Sequence, residues 1–234
     1  MKSSIVVSLL AVASLAGSAE AAMTLTPASF PGGTTTSLFN AIGTFNFGNQ
    51  KARLEAAGQS TVQGGNPGNG WWGPNDGSGG LERSWEVIWN NTSNTVTFNV
   101  YASNDFTGLP AMTMTQTPTF TAGNTLVGLD IGARLTSASH AVTIADVEFD
   151  DGGGFVAVAS ANGSYTGNAN FNNYHALGGT LGDFTLRGTA QFTSGTVTSD
   201  GMRWFVNARQ GAIPAPGAAA LLGLGGLLAA RRRR

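Results

Sequence analysis

Four carboxylates and two tryptophans carry most of the chemistry open to this chain. Asp146, Glu148, Asp150 and Asp151 follow closely on one another, and Gly152, Gly153 and Gly154 come directly after them. On an extended strand the first three side chains point the same way, and the glycines let the backbone bend and offer carbonyl oxygens. Oxygen-only donors beside flexible backbone suit calcium, the one cofactor the sequence allows for. The same spacing equally suits a solvated strand end whose charges discourage edge-to-edge pairing. A carboxylate pair is also the machinery of glycoside hydrolysis, but nothing here sets an acid apart from a nucleophile. The tryptophans, Trp71 and Trp72, stand side by side in a stretch rich in glycine and asparagine, residues 64–80. Sugar rings stack on tryptophan faces, and Asn69, Asn75 and Asp76 are placed to hydrogen-bond hydroxyls, which makes the loop a candidate ligand-binding site. The alternative is structural: one ring plugs an end of the folded domain and the other covers it.

Other chemistry is excluded by context. Gly68-Asn69-Gly70-Trp71-Trp72-Gly73 matches a dinucleotide fingerprint in its letters. That motif needs a strand before it and a helix opening after it, whereas Pro67 precedes this one and Pro74-Asn75-Asp76-Gly77 follows. His140 and His175 stand alone, outside any zinc or hydrolase spacing. There is no cysteine, hence no disulfide, thiolate metal site or thiol nucleophile. The expectation is a protein that is not an enzyme.

The elements that must position these groups read as strands. Val127, Leu129, Ile131, Ala133 and Leu135 alternate with Gly128, Asp130, Gly132 and Arg134. Phe184, Leu186, Ala190 and Phe192 repeat the period, as do Met202, Trp204 and Val206 against Arg203 and Asn207. Further strands are predicted at 38–47, 84–90, 94–102, 111–120, 140–149 and 155–160, and a short helix at 50–57. In the 140–149 strand the apolar phase switches from Val142 and Ile144 to Val147 and Phe149, which predicts a bulge near Ala145. A hairpin is legible too: Trp85, Val87 and Trp89, a turn at residues 90–94, then Val96, Phe98 and Val100. Short strands with hardly any helical period predict an all-β fold, an antiparallel β-sandwich or jelly roll, over residues 22–210.

The two ends concern destination rather than chemistry. Lys2, an apolar stretch over 5–16 and Ala19-Glu20-Ala21 form a secretory signal peptide, residues 1–21, with cleavage after Ala21 or Ala22. Residues 211–234 hold Pro214-Ala215-Pro216-Gly217, an apolar run to Ala230, then Arg231, Arg232, Arg233 and Arg234. The uncharged run over 213–230 would span roughly 27 Å as a helix, only just a hydrocarbon core of about 30 Å. The arginines would hold its end in the cytoplasm, leaving the preceding domain outside the inner membrane. As it stands, the tail suits either a simple single-span anchor or a segment held by a membrane enzyme. Between the two ends lie seven basic and twelve acidic residues, a mildly acidic body with no basic stripe in the sequence, which argues against nucleic acid as partner.

Pro-x-Pro, a Leu/Ala/Gly helix and a terminal arginine cluster together resemble the PEP-CTERM sorting signal of Gram-negative bacteria, with Pro214-Ala215-Pro216 where the family usually has Pro-Glu-Pro. The resemblance implies an exported protein, an exosortase that recognises and removes the tail at a transient inner-membrane stage, and delivery to the cell surface or an extracellular polysaccharide matrix. The body is similar to bacterial choice-of-anchor surface domains, nearest to the type designated W, for which the resemblance implies no particular chemistry. A structural or adhesive surface protein with carbohydrate as preferred partner is therefore the expectation. A secreted polysaccharide-active enzyme, hydrolase or lyase, on the same jelly roll and a ligandless matrix-filler protein are the alternatives.

Overall fold

A computed structural model describes residues 22–30, 35–45, 51–64, 72, 80–194 and 201–212. The signal peptide, residues 213–234 of the sorting tail, and Asn69, Trp71, Asn75 and Asp76 lie outside these residues, while residues 211–212, expected to open the tail, end β14. The described chain forms fourteen strands: β1 (Thr24–Pro27), β2 (Thr36–Phe45), β3 (Lys51–Ala56), β4 (Val62–Gln63), β5 (Arg83–Asn90), β6 (Thr95–Val100), β7 (Met112–Gln116), β8 (Asn124–Arg134), β9 (His140–Asp150), β10 (Val156–Ala157), β11 (Gly163–Thr166), β12 (Asn170–Gly178), β13 (Phe184–Ser194) and β14 (Met202–Ala212). They pair into two antiparallel sheets. Sheet A runs β1-β12-β8-β14-β2-β3-β4, and sheet B runs β10-β9-β13-β5-β6-β7, with β11 beside β10 on the free edge of β9. The two sheets form a β-sandwich. From β8 onward the long strands alternate between sheets: β8, β12 and β14 belong to A, β9 and β13 to B.

Period-two patterning puts one face of every long strand into a shared core. Trp204 from β14 marks its centre, with Trp85 at 5.2 Å, Phe98 at 5.8 Å and Trp72 at 6.0 Å between ring centroids. Phe39 on Trp89 and Phe45 on Phe192 join the sheets on either side. Each of these rings is nearly or wholly withdrawn from solvent. Burial of this much aromatic surface takes the stabilising role that disulfides cannot fill in a chain without cysteine.

The β5–β6 hairpin forms as its sequence predicts. Trp85, Val87 and Trp89 pair with Val100, Phe98 and Val96. Asn94 closes the turn at φ 52°, a left-handed conformation asparagine tolerates, while the Asn90 side chain accepts hydrogen bonds from the Ser93 backbone N–H and hydroxyl. The predicted bulge is present as well. Pairing of β13 with β9 slips between Arg187 opposite Glu148 and Thr189 opposite Ala145, and Asp146 takes φ 51°.

The helix expected at 50–57 is instead β3. Lys, Ala, Arg, Leu and Glu favour helices by propensity, but Ala52, Leu54 and Ala56 alternate with Lys51, Arg53 and Glu55, and pairing with β2 buries the three apolar side chains. The strand expected at 155–160 is only β10 followed by a 3-10 turn at Ala159–Ala161. Strands β1, β4, β11 and β12 had no counterpart in the sequence reading. In β12, Asn173 and His175 occupy the phase of Phe171 and Leu177, where alternation would have shown apolar residues.

Candidate functional site

The four carboxylates do not gather. Glu148 forms an ion pair with Arg187, its Oε2 lying 2.7 Å from one terminal guanidinium nitrogen and accepting from Nε at 2.8 Å. That guanidinium lies over the ring of Phe155 at 3.4 Å, with Phe106 at 4.7 Å. Asp150 turns back on its own loop and accepts from the Gly152 and Gly154 backbone N–H groups, both at 2.8 Å. Asp151 accepts from the Met23 N–H at 2.8 Å and so ties the start of sheet A to the end of β9. Asp146 occupies the bulge, where the extra residue breaks the alternation that would have aligned it with Glu148. Among the described residues no group of three or more acidic or histidine side chains converges as metal ligands. The shared direction expected of Asp146, Glu148 and Asp150 is therefore corrected by the bulge and by the partners each carboxylate already has.

Trp72 is a core residue. Its ring has no exposed surface, stands edge-on to Phe192 at 5.3 Å and to Trp204 at 6.0 Å, and its Nε1 donates to the Lys51 carbonyl at 3.3 Å. A sugar cannot stack on a face that other rings already cover, so Trp72 leaves the ligand-binding group and takes the plugging role.

Both histidines are buried, and burial holds each imidazole below its ordinary value. His175 Nε2 lies 3.0 Å from the Ser160 hydroxyl, and Nδ1 3.1 Å from the Asn173 carbonyl. Among the described residues no carboxylate completes a catalytic relay there, because Asp130 projects from the opposite face of sheet A toward Arg209.

What the sequence reading missed is the outer face of sheet A. Register brings Asn170, Arg134, Arg203, Thr44 and Lys51 into one row across β12, β8, β14, β2 and β3. The next row is Asn172, Gly132, Phe205, Ile42 and Arg53, and the one after it Tyr174, Asp130, Asn207, Asn40 and Glu55. Between these rows lies a groove of about 310 Å³. Phe205 reaches its floor beside Gly132; a Cβ there would come 3.1 Å from the ring and closer still to the Phe171 carbonyl. Side-chain amides and guanidiniums form the walls, and Asn40 Oδ1 and Arg53 Nε have no hydrogen-bond partner among the described residues.

One end of this face is locked. Arg209 donates to the fully buried Asp130 at 3.1 Å and lies over the ring of Phe30 at 4.9 Å. Desolvation pushes the Asp130 carboxyl up from its ordinary value, and Arg209 opposes that shift. At the other end Arg53 pairs with Glu55 at 3.1 Å, and Arg134 is exposed.

Charge is segregated between the sheets. Lys51, Arg53, Arg134, Arg203 and Arg209, five of the seven basic residues of the body, share the outer face of sheet A, where Glu55 and Asp130 are the only acids among the described residues. The other described acids, among them Glu86, Glu148 and Asp183, lie on or beside sheet B. No basic stripe is visible in the sequence because these residues are scattered from position 51 to 209 and only pairing aligns them. One signal was available: Phe205 is an aromatic residue on the polar phase of β14.

Fold and groove together define an antiparallel two-sheet β-sandwich with a polar, aromatic-floored groove on one outer face. No protein-family model matches the chain, and no curated protein matches it in sequence.

Proposed function

We propose that this is an exported, exosortase-processed protein of the cell surface or extracellular matrix of a Gram-negative bacterium, whose jelly-roll sandwich binds carbohydrate in the outer groove of sheet A. It is an adhesive or structural module, not an enzyme. The observation that carries the binding reading is the groove itself, where the half-buried Phe205 ring is flanked by Asn40, Asn172 and Asn207. An aromatic face matches the apolar face of a pyranose, and amides both donate to and accept from its hydroxyls. The jelly-roll assignment is supported by the alternation of long strands between the sheets after β8. Export and sorting rest on the resemblance of the two ends.

A glycan array probed with the purified protein and its Phe205→Ala variant tests the binding. Wild-type retention that disappears in a variant with an unchanged unfolding transition is the expected result, and no retention by either overturns the reading. Sorting is tested by intact mass: surface protein should lack Arg231, Arg232, Arg233 and Arg234, and keep them in cells without the exosortase.

A further inference from the structure

We propose that Ser160 is a nucleophilic serine that takes the acyl group of a neutral carboxylic ester once, the acyl chain lodging in an apolar cleft beside it. This second site goes beyond the carbohydrate reading and does not rest on it. Ser160 lies in the 3-10 turn Ala159–Ala161 that follows β10, and its hydroxyl oxygen is 3.0 Å from His175 Nε2. His175 Nδ1 is 3.1 Å from the Asn173 main-chain carbonyl, a group that can only accept. The imidazole proton therefore belongs on Nδ1, which leaves Nε2 to accept from the Ser160 hydroxyl. Burial keeps the ring in this neutral form, because it disfavours the charged imidazolium. A base within hydrogen-bond reach of a hydroxyl, oriented in turn by a third group, is the arrangement that activates serine. Here a main-chain carbonyl stands where a triad has a carboxylate.

His175 is on the inner phase of β12, between Leu129 of β8 and Pro27 of β1, and has no exposed surface. Asn173 also ties the turn down, its side-chain amide donating to the Ser160 carbonyl. Ser160 itself is exposed and lines a cleft of about 540 Å³ between β1 and β10. Met23, Leu25, Phe149, Val156 and Val158 give that cleft an apolar wall, and its volume is that of a small-ligand pocket. A hydrogen bond that merely satisfied a buried imidazole would need no such cavity in front of the hydroxyl. Asp151 on the same wall repels a free fatty carboxylate, so a neutral ester is the better fit. In the step itself, Ser160 Oγ bonds the ester carbonyl carbon and gives its proton to His175 Nε2. The carbon–oxygen bond to the alcohol then breaks, and His175 passes the proton to the departing alkoxide. The products are an acyl-serine and a free alcohol, with no change in oxidation state. The acyl chain fills the cleft and shields the new ester from water, so the protein is modified rather than turning over.

The test incubates the processed protein with p-nitrophenyl octanoate, with p-nitrophenyl acetate and with an alkyl fluorophosphonate, follows p-nitrophenol release, and maps the added mass by peptide mass spectrometry. It compares wild type with Ser160→Ala, His175→Gln and Val156→Glu, and follows the unfolding transition of each. We expect one octanoyl group on Ser160, added at least about tenfold faster than on any other serine, and no such labelling in Ser160→Ala or His175→Gln. Val156→Glu, a change at an exposed position on the cleft wall, should slow octanoyl transfer several-fold and leave acetyl transfer nearly unchanged. Failure of all three reagents to label Ser160, or labelling spread evenly over exposed serines, would overturn the proposal and leave the Ser160–His175 contact a structural hydrogen bond. Equal rates for octanoate and acetate would overturn the role of the cleft. Continuous p-nitrophenol release that vanished in Ser160→Ala would overturn the single acylation and make the site an esterase. If His175→Gln failed to fold, the Ser160→Ala and Val156→Glu variants would still decide. Glycan binding should be the same in Ser160→Ala as in wild type, so failure of this site and failure of the carbohydrate reading are told apart.

Discussion

Replacing Trp72 by alanine separates a core ring from a ligand-binding one. The side chain has no exposed surface, and a buried aromatic side chain of this kind withdraws roughly 150–250 Å² from water. At about 25 cal/mol per Å² that is roughly 4–6 kcal/mol, and alanine keeps a small part of it. Two edge-on contacts, to Phe192 and Trp204, each add about 0.5–1.5 kcal/mol. The bond from Nε1 to the Lys51 carbonyl is long at 3.3 Å and adds little. Neighbouring side chains will relax into part of the cavity, so we expect a net loss of about 4 kcal/mol, within the range for buried aromatic-to-alanine changes. For a domain of this size that lowers Tm by about 8–16 °C. Urea unfolding followed by far-ultraviolet circular dichroism measures the loss without relying on tryptophan emission. Well below its own midpoint the variant should bind glycan as wild type does. A stability loss under about 1 kcal/mol together with lost glycan binding would refute the packing argument and return Trp72 to the ligand site.

Three further outcomes follow from the same geometry. Burial lowers both His140 and His175, so as pH falls through about 6.5 the unfolded chain takes up protons before the folded one. Their contribution to stability is intact above that pH and declines below it; Tm should drop between pH 7.5 and 5, and drop less in a His140→Asn, His175→Asn double variant, in which the opposite contribution of the raised Asp130 carboxyl is unchanged. Arg209→Met strands the buried Asp130 charge and should cost about 3 kcal/mol, most of it recovered on adding Asp130→Asn; strict additivity in that double-mutant cycle would mean the pair is not coupled. Millimolar calcium should leave Tm unchanged, because Glu148, Asp150 and Asp151 each have a protein partner; a clear rise would show that the loop rearranges into a site.

Legibility divided along a physical line. Alternation made the core strands readable, because each carries apolar side chains at every second position whatever its neighbours are. The β5–β6 hairpin and the bulge before Val147 came through for the same reason: a turn sequence and a phase switch are both local. β3 failed because its residues favour a helix one by one and only the exposed edge of β2 overrides them. Asp130 and Gly132 read as an ordinary solvated face, yet both are buried beneath the Arg209, Tyr174 and Phe205 side chains that register lays over β8.

The same distinction explains why the candidate chemistry moved. Carboxylates and tryptophans adjacent in sequence were the visible groups, but adjacency along a strand sends neighbours to opposite faces, and a bulge or a buried ring then separates them further. Residues that share a face come from different strands: Arg134 and Arg203 are direct partners although sixty-nine positions apart, and Phe205 lies beside Gly132 through that same pairing. In a sandwich whose inner faces are filled by the core, the outer face of a sheet is where side chains from several strands can converge and still meet solvent. The proposed ligand-binding surface is therefore a property of strand order, set by the β8-β14-β2 neighbourhood, and not of any one segment.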